Sequence, residues 1–175
     1  NEELNKNAIL GLTSSNGVID LYTAQTGNDV PTHMGFLPFS SIGSGEDMSH
    51  TVLSSFYESL PRKNRTNIKP IEGLIALLDA TESAIHRNQG VGGSPLIYAV
   101  SEGRIFSPSE NSSKLCINLL KAADRGYIPI AFEREAINEL IYEHKPFEEI
   151  EERMWFASGQ NRASLDRMLQ GYRIE

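Results

Sequence analysis

Ala84-Ile85-His86-Arg87-Asn88-Gln89-Gly90-Val91-Gly92-Gly93-Ser94-Pro95-Leu96-Ile97-Tyr98 is the stretch on which the fold turns. Its first residues close a run in which Ile71, Leu74, Ile75, Leu78 and Ile85 recur at helical spacing. Pro70 suits the first turn of that run, where a missing N–H costs nothing. The spacing predicts a helix from Pro70 to Arg87. Gly90, Gly92 and Gly93 stop it, and Pro95 to Val100 follows as a short apolar run with a β-branched and aromatic bias. Ser101-Glu102-Gly103 turns that run back into Arg104-Ile105-Phe106, so a hairpin is expected.

Upstream, Glu46 and Asp47 stand where carboxylates favour the positive end of a helix dipole, and Met48, Val52, Phe56 and Tyr57 continue at helical spacing to about Leu60. Gly43-Ser44-Gly45 is the turn before it. Met34 to Ile42 reads as a strand, placed at an edge or bulge by Pro38. Further back, Asn7 to Leu12 and Val18 to Ala24 flank an Asn16-Gly17 turn, which predicts another hairpin. Strands, two helices and strands in that order favour an α+β arrangement of layered sheets and helices over an alternating parallel winding.

Downstream of Phe106 the pattern is helical throughout. Ser112 is expected to cap a helix running from Lys114 to Asp124, which Gly126 closes. Tyr127 to Phe132 reads as an extended link. Ala136, Ile137, Leu140 and Ile141 mark the next helix, Pro146 starts another through Phe147, Ile150 and Met154, and Leu165, Met168 and Leu169 mark a last short one.

The 175 residues fit one domain of ordinary size, with 39% hydrophobic and 22% charged residues. A net charge of −7 argues against a nucleic-acid binder. The one basic cluster, Arg62, Lys63, Arg65 and Lys69, lies among Pro61, Asn64, Thr66 and Asn67 and reads as an exposed connection. Cys116 is the single cysteine, inside an apolar helical stretch, so an inert buried thiol and a cytoplasmic home are expected. No segment has the run of about 20 apolar residues that a membrane helix needs. His33, His50, His86 and His144 are scattered, so no metal site is expected, and no cofactor is indicated. Gly90-Val91-Gly92-Gly93 follows a helix and precedes a strand, the reverse of a phosphate-binding loop.

From Asn7 to about Phe106 the chain resembles the second half of a proteasome-type N-terminal-nucleophile (Ntn) hydrolase subunit. Three segments carry the resemblance: the hairpin of Ile9-Leu10-Gly11-Leu12 and Ile19-Asp20-Leu21-Tyr22, the turn Ser41-Ile42-Gly43-Ser44-Gly45, and Ala84 to Tyr98. The resemblance implies a four-layer α-β-β-α sandwich, part of it in this chain, over residues 1–106, with 107–175 as a helical C-terminal extension packed on it or on a neighbouring subunit. It implies a threonine-type peptidase subunit acting on peptide or protein substrates, in a ring-like oligomer with copies of itself or related subunits.

In that family the nucleophile is an amino-terminal threonine, and the nucleophile, aspartate and lysine precede the segment matched here, so those roles fall on no residue of this chain. Asn1 has neither a nucleophilic nor a basic side chain at neutral pH. Ser44 matches the family's serine beside the nucleophile; a plain helix cap is the other reading. Asn88 stands where active members often carry aspartate, and Val91 where they carry serine; Asn88 also reads as a helix C-cap. Gly43, Gly45, Gly92 and Gly93 are the expected structural turns. These departures leave a non-catalytic subunit or interaction scaffold as the alternative to the peptidase. In the helical extension, Glu148, Glu149, Glu151 and Glu152 interleave with Phe147, Ile150, Met154, Trp155 and Phe156. Trp155 and Phe156 either pack on their own domain or anchor an interface.

Overall fold

Helix-forming runs dominate the chain, and the computed structural model is accordingly α+β and mostly helical. It describes residues 7–13, 19–25, 32–33, 37–88, 90–93, 95–101 and 104–170. The expected first hairpin forms: β1 (Asn7–Thr13) pairs antiparallel with β2 (Ile19–Gln25), from Asn7 opposite Gln25 to Thr13 opposite Ile19. Its Asn16-Gly17 turn lies outside the described residues. The third strand is β3 (Thr32–His33), which pairs with β2.

The strand expected over Met34 to Ile42 is corrected for Leu37 to Ile42, which form no strand; Met34 to Phe36 lie outside the described residues. Pro38 has no N–H for a ladder. The segment instead lays the Phe39 ring edge-on against His50 and Tyr57, at centroid distances of 5.7 and 6.1 Å.

Helices α1 (Glu46–Ser59) and α2 (Pro70–Arg87) start and stop close to where their periodicity placed them. The basic connection between them holds a short 3-10 turn at Arg62–Asn64 with Arg62 and Lys63 exposed. Arg65 folds back instead, its guanidinium 5.1 Å from the Tyr57 ring centre and donating to the Glu58 and Leu60 carbonyls at 2.8 and 3.2 Å.

Beyond the glycines, the strand expected from Pro95 to Val100 shrinks to β4 (Ala99–Ser101), paired antiparallel with β5 (Arg104–Phe106). Pro95 to Tyr98 run unpaired, because the run anchors itself by side chain: Ile97 is buried in the helical core while Leu96 and Tyr98 face outward.

Helix α3 (Glu110–Asp124) is capped by Ser109, whose hydroxyl accepts from the Ser112 N–H at 3.0 Å. The cap expected at Ser112 therefore moves back three residues, and Ser112 sits buried in the first turn. Gly126, at φ +69°, ends the helix with the Tyr127 N–H reaching the Ala122 carbonyl at 2.8 Å, the geometry of a left-handed cap. The extended link is shorter than expected, because Pro129, with its fixed φ, already serves as the cap of α4 (Ile130–Ile141). Then come α5 (Phe147–Ala157), a 3-10 turn at Gly159–Asn161, and α6 (Arg162–Leu169).

The main core lies among the helices after β5, with α2 as one wall. Leu115, Leu119, Ile137, Ile150, Met154 and Leu165 have no exposed surface, and Leu78 joins them from α2. Cys116 is also fully enclosed, and burial pushes its thiol up to about 12, as expected for an inert cysteine. A smaller cluster joins α1 to α2 through Leu53, Ala76 and Ala80, with Phe39, Val52 and Phe56 packed on it. Residues 107–170 thus share the main core with α2.

Charge ties α4 to α5. Arg153 bonds the Glu139 carboxylate and meets Glu135 at 2.9 Å, and Lys145 meets Glu139 at 2.5 Å. Burial works against the Glu139 charge, but the hydrogen bonds from Lys145 and Arg153 outweigh it and hold the carboxyl below its ordinary value.

Met154→Ala tests the shared core. It should lower stability by about 2–5 kcal/mol and shift one cooperative urea transition seen by circular dichroism. A midpoint unchanged from wild type would make α5 an appendage.

Candidate functional site

Two turns separated by more than forty residues meet where α1 begins and α2 ends. Gly43 adopts φ +96°, a region L side chains rarely enter, and its carbonyl accepts from the Glu46 N–H at 3.0 Å. Gly45 is the cap residue of α1, and a Cβ there would stand 2.8 Å from Ala84 Cβ and 3.1 Å from a Val91 methyl. Only glycine lets α1 approach the Ala76, Ala80, Ala84 edge of α2 this closely. The Ser49 hydroxyl completes that approach by donating to the Ala80 carbonyl at 3.3 Å.

Asn88 is the C-cap of α2, with its N–H on the Ala84 carbonyl at 3.0 Å. Its side chain works in both directions: Nδ2 donates to the Ser44 carbonyl, and Oδ1 accepts from the Gly90 N–H at 3.0 Å. The Val91 N–H returns to the Asn88 carbonyl at 3.0 Å, and the Ser44 hydroxyl reaches the Gly90 carbonyl at a long 3.5 Å. The structure thereby brings Ser44, Gly45, Asn88 and Val91 into one junction. It also corrects the helix-cap reading of Ser44: α1 starts at Gly45 with no side-chain cap, and the Ser44 hydroxyl turns towards Gly90.

An amide is the chemistry this junction needs. A carboxylate at position 88 could still accept from Gly90, but it would set negative charge against the Ser44 carbonyl. Gly90 accepts a hydrogen bond from the Ser44 hydroxyl through its carbonyl, which is no base at neutral pH. Gly92 and Gly93 lie exposed beyond it, Gly93 at φ +91°.

Trp155 and Phe156 belong to a different surface, on α5, which packs on α3 and α4. Trp155 is half-buried against the core, with the Arg162 guanidinium 5.8 Å from its ring centre, whereas Phe156 is 88% exposed.

Sequence reasoning missed a polar cluster where α2, α3 and α4 meet. Buried Glu82 lies 2.7 Å from Lys121 and 2.6 Å from His86, within ion-pair distance though without the alignment of a hydrogen bond. Asp79, Asp124 and Arg125 line the same cleft. Burial, then the charge of Asp124, pushes Asp79 up to about 6. Burial, then Asp79, pushes Glu133 up to about 7, with Arg134 opposing and Asp124 adding. The available signal was Glu82 falling four residues after Leu78, on a face that periodicity marks as apolar. Among the described residues, no group of three His, Cys, Asp or Glu is arranged to hold a metal ion.

Gly45→Ala should cost about 1–3 kcal/mol, since the Ala84 Cβ and a Val91 methyl must give way at once. Asn88→Asp should cost about 1–3 kcal/mol at neutral pH by replacing a donor with a charge, and less in acid, where the carboxyl can donate. Urea midpoints at the two pH values check both. Asp79 and Glu133 bind protons more tightly folded than unfolded, so their contribution to stability is greatest below about pH 4 and is lost as pH rises through about 7. Glu133→Gln should flatten that decline; an unchanged pH profile would show that Glu133 does not drive it.

Comparisons with protein-family models, with curated proteins and with solved structures find no match to this chain.

Proposed function

We propose that this chain is the second half of a proteasome-like Ntn-hydrolase subunit, and that the Ser44–Asn88 junction is the support on which a nucleophile from an N-terminal part outside this sequence rests. The observation that carries the reading is the meeting of the two turns singled out by the resemblance, through Asn88 Nδ2 on the Ser44 carbonyl and the Ser44 hydroxyl on Gly90. In such a subunit a terminal threonine hydroxyl attacks a peptide carbonyl, and its proton passes to the free α-amino group or a neighbouring base. Ser44 would lie beside that amino group. The finer architecture of this reading is the four-layer α-β-β-α sandwich, and its partners are peptide substrates and related subunits in a ring.

A second reading, a non-catalytic subunit or scaffold, is favoured by two features. Asn88 spends its amide on neutral hydrogen bonds, and the Val91 methyl packs towards Gly45 where a hydroxyl would serve catalysis. Both readings place the protein in the same assembly.

The deciding experiment is intact mass and amino-terminal sequencing of the protein expressed from its full-length gene, together with labelling by a peptide vinyl sulfone. The peptidase reading expects a mature terminus at Thr, Ser or Cys, carrying the label. An unprocessed, unlabelled terminus contradicts it and leaves the scaffold reading.

A further inference from the structure

Two surface features of opposite character lie outside the Ser44–Asn88 junction. The first is a knob: the ring of Phe156, 88% exposed on α5, standing at the edge of a shallow depression that Trp155, Glu148, Glu151, Glu152 and Arg162 also line. The second is a groove of about 590 Å³ against α1 and α2, within the ~300–1,000 Å³ range of sites that enclose an apolar group. Phe39, Leu53 and Phe56 lie along it, Leu77 and Tyr98 stand 48% and 65% exposed at its edge, and Lys69 borders it. The connection leading to Lys69 also carries exposed Arg62 and Lys63.

We infer that the α5 knob of one copy docks in the α1–α2 groove of a second copy of this chain, Phe156 entering the groove and the α5 glutamates facing Lys69 and the Arg62–Lys63 turn. Charge selects this occupant. At a net charge of −7, two copies repel in most orientations, and a symmetric contact through α5 would set Glu148, Glu151 and Glu152 against themselves. Lys69 borders the apolar groove, and three glutamates against one arginine, Arg162, surround the exposed Phe156, so an apolar ring in a net acidic setting meets an apolar groove edged by a cation. Knob and groove are different patches, so the contact is head-to-tail and generates a ring or an open chain. The inference rests on these two surfaces and stands apart from the peptidase reading, since its readout is association and not cleavage.

Analytical ultracentrifugation of the purified protein, from micromolar to near-millimolar and at low and high salt, tests it. Wild type should associate with concentration, less so at high salt. Phe156→Asp keeps the groove and loses the knob; Leu77→Glu keeps the knob and spoils the groove. Each alone should weaken association by at least about 10-fold. An equimolar mixture should restore a dimer and nothing larger, because one knob and one groove remain to match. Both positions are exposed, circular dichroism verifies the fold, and Tyr98→Asp serves as a second groove variant. Monomeric wild type, a groove variant that associates as wild type does, or a mixture that stays monomeric would each overturn the inference.

Discussion

Helix α2 is buried on two sides at once, and the rest of the structure follows from that constraint. One side is a stripe of small residues, Ala76, Ala80 and Ala84, narrow enough for α1 to lie close. The other carries Leu78, with Ile71, Leu74 and Ile75 packed against the core shared with α3, α4, α5 and α6. A helix with a single apolar stripe would leave one of these clusters to solvent. The close approach then dictates its own ends: Gly45 where α1 starts, because Ala84 leaves no room for a Cβ, and Asn88 where α2 stops, because its amide can bond both turns.

The two helix interfaces that hold charge manage it differently. Between α4 and α5, Glu139 is nearly enclosed but bonded by Lys145 and Arg153, so opposite charge compensates for lost water. Where α2, α3 and α4 meet, Glu82 has Lys121 and His86, while Asp79 and Glu133 are held protonated to higher pH by burial first and by like charge second. The first arrangement is a clamp; the second gathers carboxyl groups that burial and like charge push up towards neutrality.

Periodicity made α1, α2 and the first hairpin legible, because each has a clear spacing bounded by Pro70, the glycines or Asn16-Gly17. Proline misled in both directions. Pro38 and Pro95 sit in apolar runs that read as strands, yet Leu37 to Ile42 and Pro95 to Tyr98 stay unpaired, and Pro129 in an apparent link caps a helix. Ser109 and Ser112 are three residues apart and equally good caps on composition; the buried first turn selects Ser109. The meeting of Ser44 with Asn88 was not legible, since nothing in the spacing of two distant turns requires contact; the packing of α1 on α2 brings them together. The polar cluster left one trace in the sequence, Glu82 on an apolar face, because its other members come from three helices, and which surface the C-terminal helices pack on is decided by apolar faces that match α2 only in three dimensions.

Native-state hydrogen exchange under rising urea measures the central claim directly, by comparing amides of α2 from Leu78 to Ala84 with those of α3 from Leu115 to Leu120. If α2 is the common wall of both clusters, the two sets open together, with the same free energy and the same urea dependence. If α3 stays protected while α2 exchanges through a separate, easier opening, the helices after β5 fold without it and the account is wrong.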